Sequence, residues 1–390
     1  MKKFRIQSII LAPTRELANQ IAQEIRKLSR HIHNVKVLTL CGGVPFKPQA
    51  ASLFHGAHII VATPGRILKH IKENNIVLDN VDTLVLDEAD KMLDMGFYDD
   101  IIEIIESLPK QRQTLLFSAT YEENTANLAK SILINPTIVK DENEEKTVIA
   151  QKFYGVNEGN KTSVIPALIS SNRAKSVIIF CNMKIKCDEL ADELSDLGLD
   201  VLTLHSDMDQ KQRDETIILF SNKSYPILIA TDVASRGLHI DDVDLVINYD
   251  LAKDPKTHTH RIGRTARAGK GGLAISLFTV NDEDKVEDIK DSFADIIFEE
   301  ISEIEDDLTF KIDSDFRAIF INGGKKAKLR AGDILGALTA GLGLQKDDIG
   351  KIDILDFCSY VAVKASLVTD TVEKLSNKKI KGKYFKIFEK

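Results

Sequence analysis

Asp82-Thr83-Leu84-Val85-Leu86-Asp87-Glu88-Ala89-Asp90 is the stretch of this 390-residue chain that decides its fold. Residues 82–86 read as a short buried strand, because a brief apolar run between polar flanks suits a strand covered on both faces. A strand that ends in two carboxylates is the acidic half of a nucleotide-hydrolysing site. There Asp87 would help hold Mg²⁺ and Glu88 would orient the attacking water. The other half is a Gly-x-x-x-x-Gly-Lys-Thr loop whose amides cradle phosphates. No such loop precedes Asp87. Gly155-Val156-Asn157-Glu158-Gly159-Asn160-Lys161-Thr162 follows it, but Asn160 stands where the second glycine is needed. Residues 161–170 are therefore read as the first helix of a second domain.

Further blocks lie where other apolar runs stop. Pro13-Thr14-Arg15-Glu16-Leu17-Ala18 follows a strand at 8–11, Gly42-Gly43 one at 35–40, Thr63-Pro64-Gly65-Arg66 one at 58–62, and Ser118-Ala119-Thr120 one at 113–117. Open α/β sheets bind ligands at the carboxyl ends of their strands. Gly42, Gly43 and Gly65 allow a phosphodiester chain to approach the backbone, and Thr14, Arg15, Thr63 and Arg66 can bond phosphate oxygens. Turn chemistry gives a second reading of the same residues: Thr14 suits a helix N-cap, and Thr120 to Glu123 fits a capping box. Both readings hold together, since a helix N-terminus is itself an anion site. In the second half stand Ala230-Thr231-Asp232-Val233-Ala234-Ser235-Arg236-Gly237 and His260-Arg261-Ile262-Gly263-Arg264-Thr265-Ala266-Arg267. Arg264 and Arg267 would share one face of a helix, and paired arginines can neutralise a triphosphate in its transition state.

In order and spacing these blocks resemble the DEAD-box RNA helicases from residue 8 to about residue 280. The resemblance implies ATP and Mg²⁺ as cofactors, with Asp87 and Glu88 catalytic. It makes Arg264 and Arg267 fingers onto the nucleotide, and Gly237 a further nucleotide contact. It assigns Ser118, Thr120, Asp232 and His260 to coupling between motifs. It assigns Thr14, Arg15, Gly42, Gly43, Thr63, Gly65, Arg66, Gln210, Arg213 and Thr231 to RNA. Three departures stand out. His239 replaces the Asp that usually contacts the ribose, and Ala266 replaces a Gly. The family's adenine-recognition segment and P-loop are missing before Pro13. Their absence implies an incomplete first domain, a gap beside the strand that ends at Ser118, and little or no ATP hydrolysis. An ATP-independent RNA-binding protein is the alternative.

Composition is that of a soluble protein with ordinary cores: 43% hydrophobic and 28% charged residues. No run approaches the roughly 18 apolar residues of a membrane span, and no signal peptide is evident. The expectation is a cytoplasmic protein with no membrane and no evident obligate protein partner. Its four cysteines form no Cys-x-x-Cys pair and read as reduced, mostly buried thiols. The net charge of −7 is uneven. Residues 309–390 carry 16 Lys/Arg against 10 Asp/Glu, whereas 281–308 carry 2 against 13. The acidic stretch reads as a solvated helix and linker that holds the basic module off the core.

The architecture expected is α/β: two RecA-like parallel-sheet domains, the first incomplete, at 1–140 and 147–280. The acidic helix and linker follows at 281–308. An RRM-like α+β domain at 309–390 then has the order β-α-β-β-α-β. In that domain Tyr360 alone stands where an RRM stacks several aromatics. The loop Gly323-Gly324-Lys325-Lys326-Ala327-Lys328-Leu329-Arg330 instead offers Lys325, Lys326, Lys328 and Arg330 to phosphates. This tail closely resembles the terminal domain of the DbpA group of bacterial DEAD-box proteins. That likeness implies a 23S rRNA hairpin as partner, on pre-50S particles, and a role in remodelling rRNA during large-subunit assembly.

Overall fold

The computed structural model describes residues 5–140, 149–232, 240, 243–266, 271–293, 295–305, 307 and 309–390. The chain divides into two units, the first built on residues up to Glu142.

In the first unit, strands β1 (Ser8–Leu11), β2 (Val37–Leu40), β3 (Ile59–Ala62), β4 (Thr83–Leu86) and β5 (Gln113–Leu116) form one sheet. The order is β2-β3-β1-β4-β5, and every pairing is parallel. Each strand is only four residues long and mostly apolar, as suits a sheet covered by helices on both faces. The helices are α1 (Arg15–Leu28), α2 (Phe46–Phe54), α3 (Pro64–Lys72), α4 (Ala89–Asp94), α5 (Tyr98–Glu106) and α6 (Glu123–Ile132). Ile9, Leu11, Ile60, Leu84 and Leu86 are fully buried at the centre. The strand β5 is the exception. It lies at the open edge of the sheet and alternates exposed and half-exposed residues, and Phe117 just beyond it is 54% exposed.

The second unit holds a seven-stranded sheet and a four-stranded one. The larger sheet contains β6 (Ile149–Gly155), β7 (Val177–Phe180), β8 (Val201–Leu204), β9 (Ile227–Ala230), β10 (Leu245–Asn248), β11 (Gly272–Phe278) and β12 (Ile296–Glu299), with α7 (Ile165–Ser171), α8 (Lys184–Asp196), α9 (Gln210–Ser221), α10 (Pro255–Ile262) and α11 (Glu283–Ser292). The order β12-β6-β11-β10-β7-β9-β8 is parallel throughout. The smaller sheet is antiparallel, in the order β14-β15-β13-β16. It consists of β13 (Phe316–Ile321), β14 (Ile349–Ile354), β15 (Ser359–Lys364) and β16 (Ile387–Glu389), with α12 (Ala331–Leu342) and α13 (Val368–Ser376) packed on one face.

Several expectations need correction. Residues 281–308 are not only a solvated helix and linker: β12 extends the large sheet through β6. There Glu299 accepts from Tyr154 and pairs with Lys152 at 2.7 Å. Apolar Ile296 to Phe298 makes a strand possible inside an acidic stretch. Nor is the basic module held off. The open face of its sheet packs on α9, where Tyr360, Ala318, Phe320 and Leu355 meet Ile218 and Leu219. Arg317 pairs with Asp200 at 2.5 Å, and Lys390 with Glu215 at 2.5 Å. Tyr360, which stands where an RRM stacks a base, is 1% exposed, in keeping with a weakened stacking face.

Candidate functional site

In the first unit all five strands run the same way, so the residues that follow them gather at one end of the sheet. Thr14 caps α1, its Oγ1 accepting from the Leu17 amide at 3.3 Å. Arg15 opens that helix. Thr63 precedes Pro64 at the start of α3, and its amide donates to Leu40 O at 3.0 Å, which ties the ends of β2 and β3 together. Gly43 follows β2 with φ +70°, in the left-handed region that favours glycine. Arg66 is engaged inside the protein. Its Nη1 donates to Val44 O and Gln49 Oε1, each at 2.9 Å, and so closes the loop after Gly42-Gly43. A side chain at Gly65 would press on Asp100 Oδ2 at 3.3 Å.

Asp87 sits at the carboxyl end of β4, with its amide bonded to Leu11 O at 3.0 Å. Its Oδ1 accepts from the Glu88 amide at 3.0 Å. Burial raises the Asp87 pKa, and the neighbouring Glu88 carboxylate adds to the rise. Glu88 itself is left-handed (φ 51°), and its Oε1 is held by Lys91 at 2.5 Å. Asp90 is 2% exposed and accepts from Thr120 Oγ1 at 3.1 Å. Ser118 Oγ donates to Thr120 O at 2.6 Å. The acidic turn and the Ser-Ala-Thr turn are thus laced together through Asp90 and Thr120. The expected capping box is absent: α6 begins after Glu122 with no side-chain cap, because Thr120 is spent on Asp90.

Asp87, a carboxylate at a strand end, is a hard-oxygen donor that would suit a hydrated Mg²⁺, while Glu88 is already paired with Lys91. A phosphate cradle is not among the described residues of this unit. Lys161, in the Gly155–Thr162 stretch that partly matches a phosphate loop, lies in the second unit and is occupied there. It is 3% exposed, its Nζ is 3.3 Å from Asp250 Oδ1, and it lies over the Tyr249 ring at 4.8 Å.

In the second unit Thr231 and Asp232 follow β9, and His260 lies in the last turn of α10. The organising residue is one to which the sequence pattern assigned no role, Arg261. It is 1% exposed. Its Nε and Nη2 bond both oxygens of Asp232, at 2.6 and 2.8 Å. Nη1 reaches Asp250 O at 2.6 Å, and Nη2 reaches Asn182 Oδ1 at 2.7 Å. One guanidinium therefore joins the ends of β7, β9 and β10 to α10. Its signal was present in the His-Arg pair, but only the fold shows which arginine points inward. Arg264 is also buried, at 8% exposure, but α10 ends at Ile262, so Arg264 lies beyond the helix expected to carry it; its expected partner Arg267 is outside the described residues. Gln210 opens α9 and donates to Asp214 Oδ1 at 2.7 Å, with Arg213 one turn on.

This arrangement of motifs on two parallel sheets, with a β-α-β-β-α-β tail, has relatives in sequence and structure. Residues 1–128 match the DEAD/DEAH box helicase family, 160–269 the helicase conserved C-terminal domain, and 318–388 the DbpA RNA binding domain. The ATP-dependent RNA helicase DbpA of Escherichia coli is 44% identical over 381 residues, 97% of this chain and 83% of that protein. DbpA of Bacillus subtilis is 36% identical, over 98% of this chain and 84% of that protein. The solved structure of S. cerevisiae Dbp5 bound to RNA and ADP BeF3 superposes with a TM-score of 0.67 at 30% identity, covering 77% of this chain and 79% of that one. The chain belongs to the DbpA-type DEAD-box RNA helicases. By family it is an ATP-dependent RNA helicase of two RecA-like domains with an RNA-binding tail. In this DbpA-type chain Gly237, His239 and Arg267 lie outside the described residues. The four tail residues Lys325, Lys326, Lys328 and Arg330 are all placed on the loop between β13 and α12. Lys325, Lys328 and Arg330, together with Lys381, line a shallow basic concavity of about 310 Å³.

Proposed function

We propose that this DbpA-type helicase remodels rRNA during assembly of the large ribosomal subunit in the cytoplasm, and that its tail docks on a 23S rRNA hairpin in pre-50S particles. The observation that carries this reading is the tail. A DbpA RNA binding domain matches residues 318–388, and Lys325, Lys326, Lys328 and Arg330 of its basic loop are exposed. Tethering by the tail would raise the local concentration of the motor at neighbouring duplexes. On the motor, Thr14, Arg15, Gly42, Gly43, Thr63, Gly65, Arg66, Gln210, Arg213 and Thr231 are assigned to RNA. Asp87 is assigned to Mg²⁺, Glu88 to the attacking water, and Arg264 and Arg267 to the charge of the transferring phosphate. Ser118, Thr120, Asp232 and His260 couple these groups, and Gly237 is a nucleotide contact.

The 390 residues are further proposed to turn over ATP negligibly by themselves, since Asp87 and Glu88 face no P-loop lysine among the described residues. Steady-state ATPase with and without hairpin RNA tests this: robust RNA-stimulated turnover would sink it. Filter binding to the hairpin and to an unrelated stem-loop tests the target, and equal affinities would reduce the tail to a generic basic module. ATP-independent hairpin binding with no turnover under any condition would favour the second reading, an RNA-binding protein without motor activity.

A further inference from the structure

An RRM-like tail normally reads bases by stacking them on sheet aromatics. Here most of that face is covered, with Phe388 on the edge strand still 36% exposed. Tyr360 is buried against α9, Phe320 packs beside it with ring centroids 5.4 Å apart, and Phe388 lies 4.6 Å from Phe320. A basic loop alone can hold phosphates but cannot distinguish loop bases from a plain stem. Two further aromatic rings of the tail face solvent more fully: Phe357 is 73% exposed and Tyr384 is 64% exposed.

Neither ring is placed at random. Phe357 stands in the turn between β14 and β15, and that turn is locked against the basic loop. The Lys325 amide donates to Leu355 O at 2.9 Å, and the Lys326 amide to Asp356 O at 2.8 Å. Gly324 makes this approach possible, since a Cβ there would sit 2.3 Å from Leu355 O. On the other side, the Phe385 ring lies on Gly323, where a Cβ would fall 2.3 Å from it. Its neighbour Tyr384 is turned outward, with Lys379 Nζ 5.5 Å from the ring centre. The two glycines thus let the turn that carries Phe357 and the segment that carries Tyr384 and Phe385 approach the lysine-rich loop from either side. Single exposed apolar residues are common and need no explanation. Two exposed rings carried on segments that pack against the lysine-rich loop, in a tail whose sheet is mostly covered, are a different matter.

We propose that Phe357 and Tyr384 are base-stacking residues of this tail, each receiving an unpaired RNA base next to phosphates held by Lys325, Lys326, Lys328 and Lys379. The assignment rests on the reading of the tail as an RNA-binding module. It replaces the sheet platform with two rings at the edge of the domain. Stacking on an aromatic is tolerant of base identity but demands an unpaired base. The site therefore selects looped or single-stranded RNA over duplex.

The test uses the full 390-residue protein and two probes: an RNA stem-loop with an unpaired loop, and a blunt RNA duplex of the same length. Phe357→Leu and Tyr384→Leu keep apolar bulk but remove the π-face at exposed positions where folding is not at stake. Each should weaken stem-loop binding by about tenfold and leave duplex binding and the salt slope unchanged. The chain has no tryptophan, so Phe357→Trp introduces a single indole. Its fluorescence should be quenched by the stem-loop and not by the duplex. Leucine variants within about twofold of the parent on the stem-loop, an equal loss on the duplex, or an unquenched indole at saturation would each overturn the proposal. Neutralising Lys325, Lys326 and Lys328 in parallel separates the two readings. If that weakens binding and the leucine variants do not, the stacking assignment alone falls. If nothing weakens binding, the RNA reading of the tail falls first.

Discussion

At the scale of the residue, Arg261 and His258 show how the second domain holds its motif residues. Arg261 is a buried cation whose charge is met by both Asp232 oxygens. Removing one partner of such a pair leaves an uncompensated charge and costs about 3–5 kcal/mol. Arg261→Lys should cost nearly as much as Arg261→Ala, because an ammonium cannot hold the two-pronged contact and also reach Asn182 and Asp250. Urea denaturation measures both. A Lys variant as stable as the parent would show that charge, rather than the fork, is what matters. His258 lies beside this cluster, fully buried, with Nε2 2.8 Å from Gln151 Oε1. Burial, with the Arg261 charge adding, pushes its pKa down to about 4 from an ordinary 6.5. Well above pH 6.5 the ring is neutral in both folded and unfolded chains and contributes no slope. As pH falls from there toward 4, the unfolded chain takes up a proton that the folded one refuses. Stability is therefore lost across that window, by on the order of 3 kcal/mol. His258→Gln should flatten the denaturation midpoint against pH between 6.5 and 4.5, and an unchanged profile would assign the acid sensitivity elsewhere.

Elements were more legible in the sequence than their contacts. Strands such as Val201–Leu204, Ile227–Ala230, Leu245–Asn248 and Phe316–Ile321 follow directly from apolar runs between polar turns. A run of this kind reports burial without needing to know its neighbour. The edge strand β5 was likewise foreseeable, since a strand expected to lack a neighbour should stand at an open side. Three features were not legible: β12 inside an acidic stretch, the end of the helix at Ile262, and the docking of the tail sheet on α9. Each depends on a partner far away in sequence. The docking separates two contributions that can be measured. Arg317–Asp200 is partly exposed, and a pair of that kind contributes at most about 1 kcal/mol. Leu219, by contrast, is 5% exposed in an apolar contact. Leu219→Asp would bury an unpaired carboxylate there. It should release the tail, visible as faster amide exchange along β13 and β15 and a larger radius of gyration. Arg317→Ala should change neither by much. The reverse ranking would mean that the ion pairs, not the apolar contact, hold the tail.

For the whole molecule, the uneven charge reconciles a net −7 with an RNA partner. The excess of negative over positive charge is concentrated in 281–308, where Glu299 and Asp307 are tied to Lys152 and Arg173. The basic loop is left on the surface of the tail. Long-range attraction for RNA should then be set by that loop and not by the protein's average charge, because at physiological salt a charge is felt only within about 8 Å. Replacing Lys325, Lys326 and Lys328 together by Gln should weaken stem-loop binding. It should also reduce the slope of log affinity against log salt, by up to about 0.9 for each phosphate no longer neutralised. Neutralising a matched set of acidic residues in 281–308, such as Asp284, Glu287 and Asp291, should raise affinity far less than the lysine changes lower it. Filter binding across a salt series reads both effects. If the acidic changes matched the lysine changes in size, net charge rather than the local loop would govern the encounter, and the tail would act as one pole of a dipole instead of a discrete binding site.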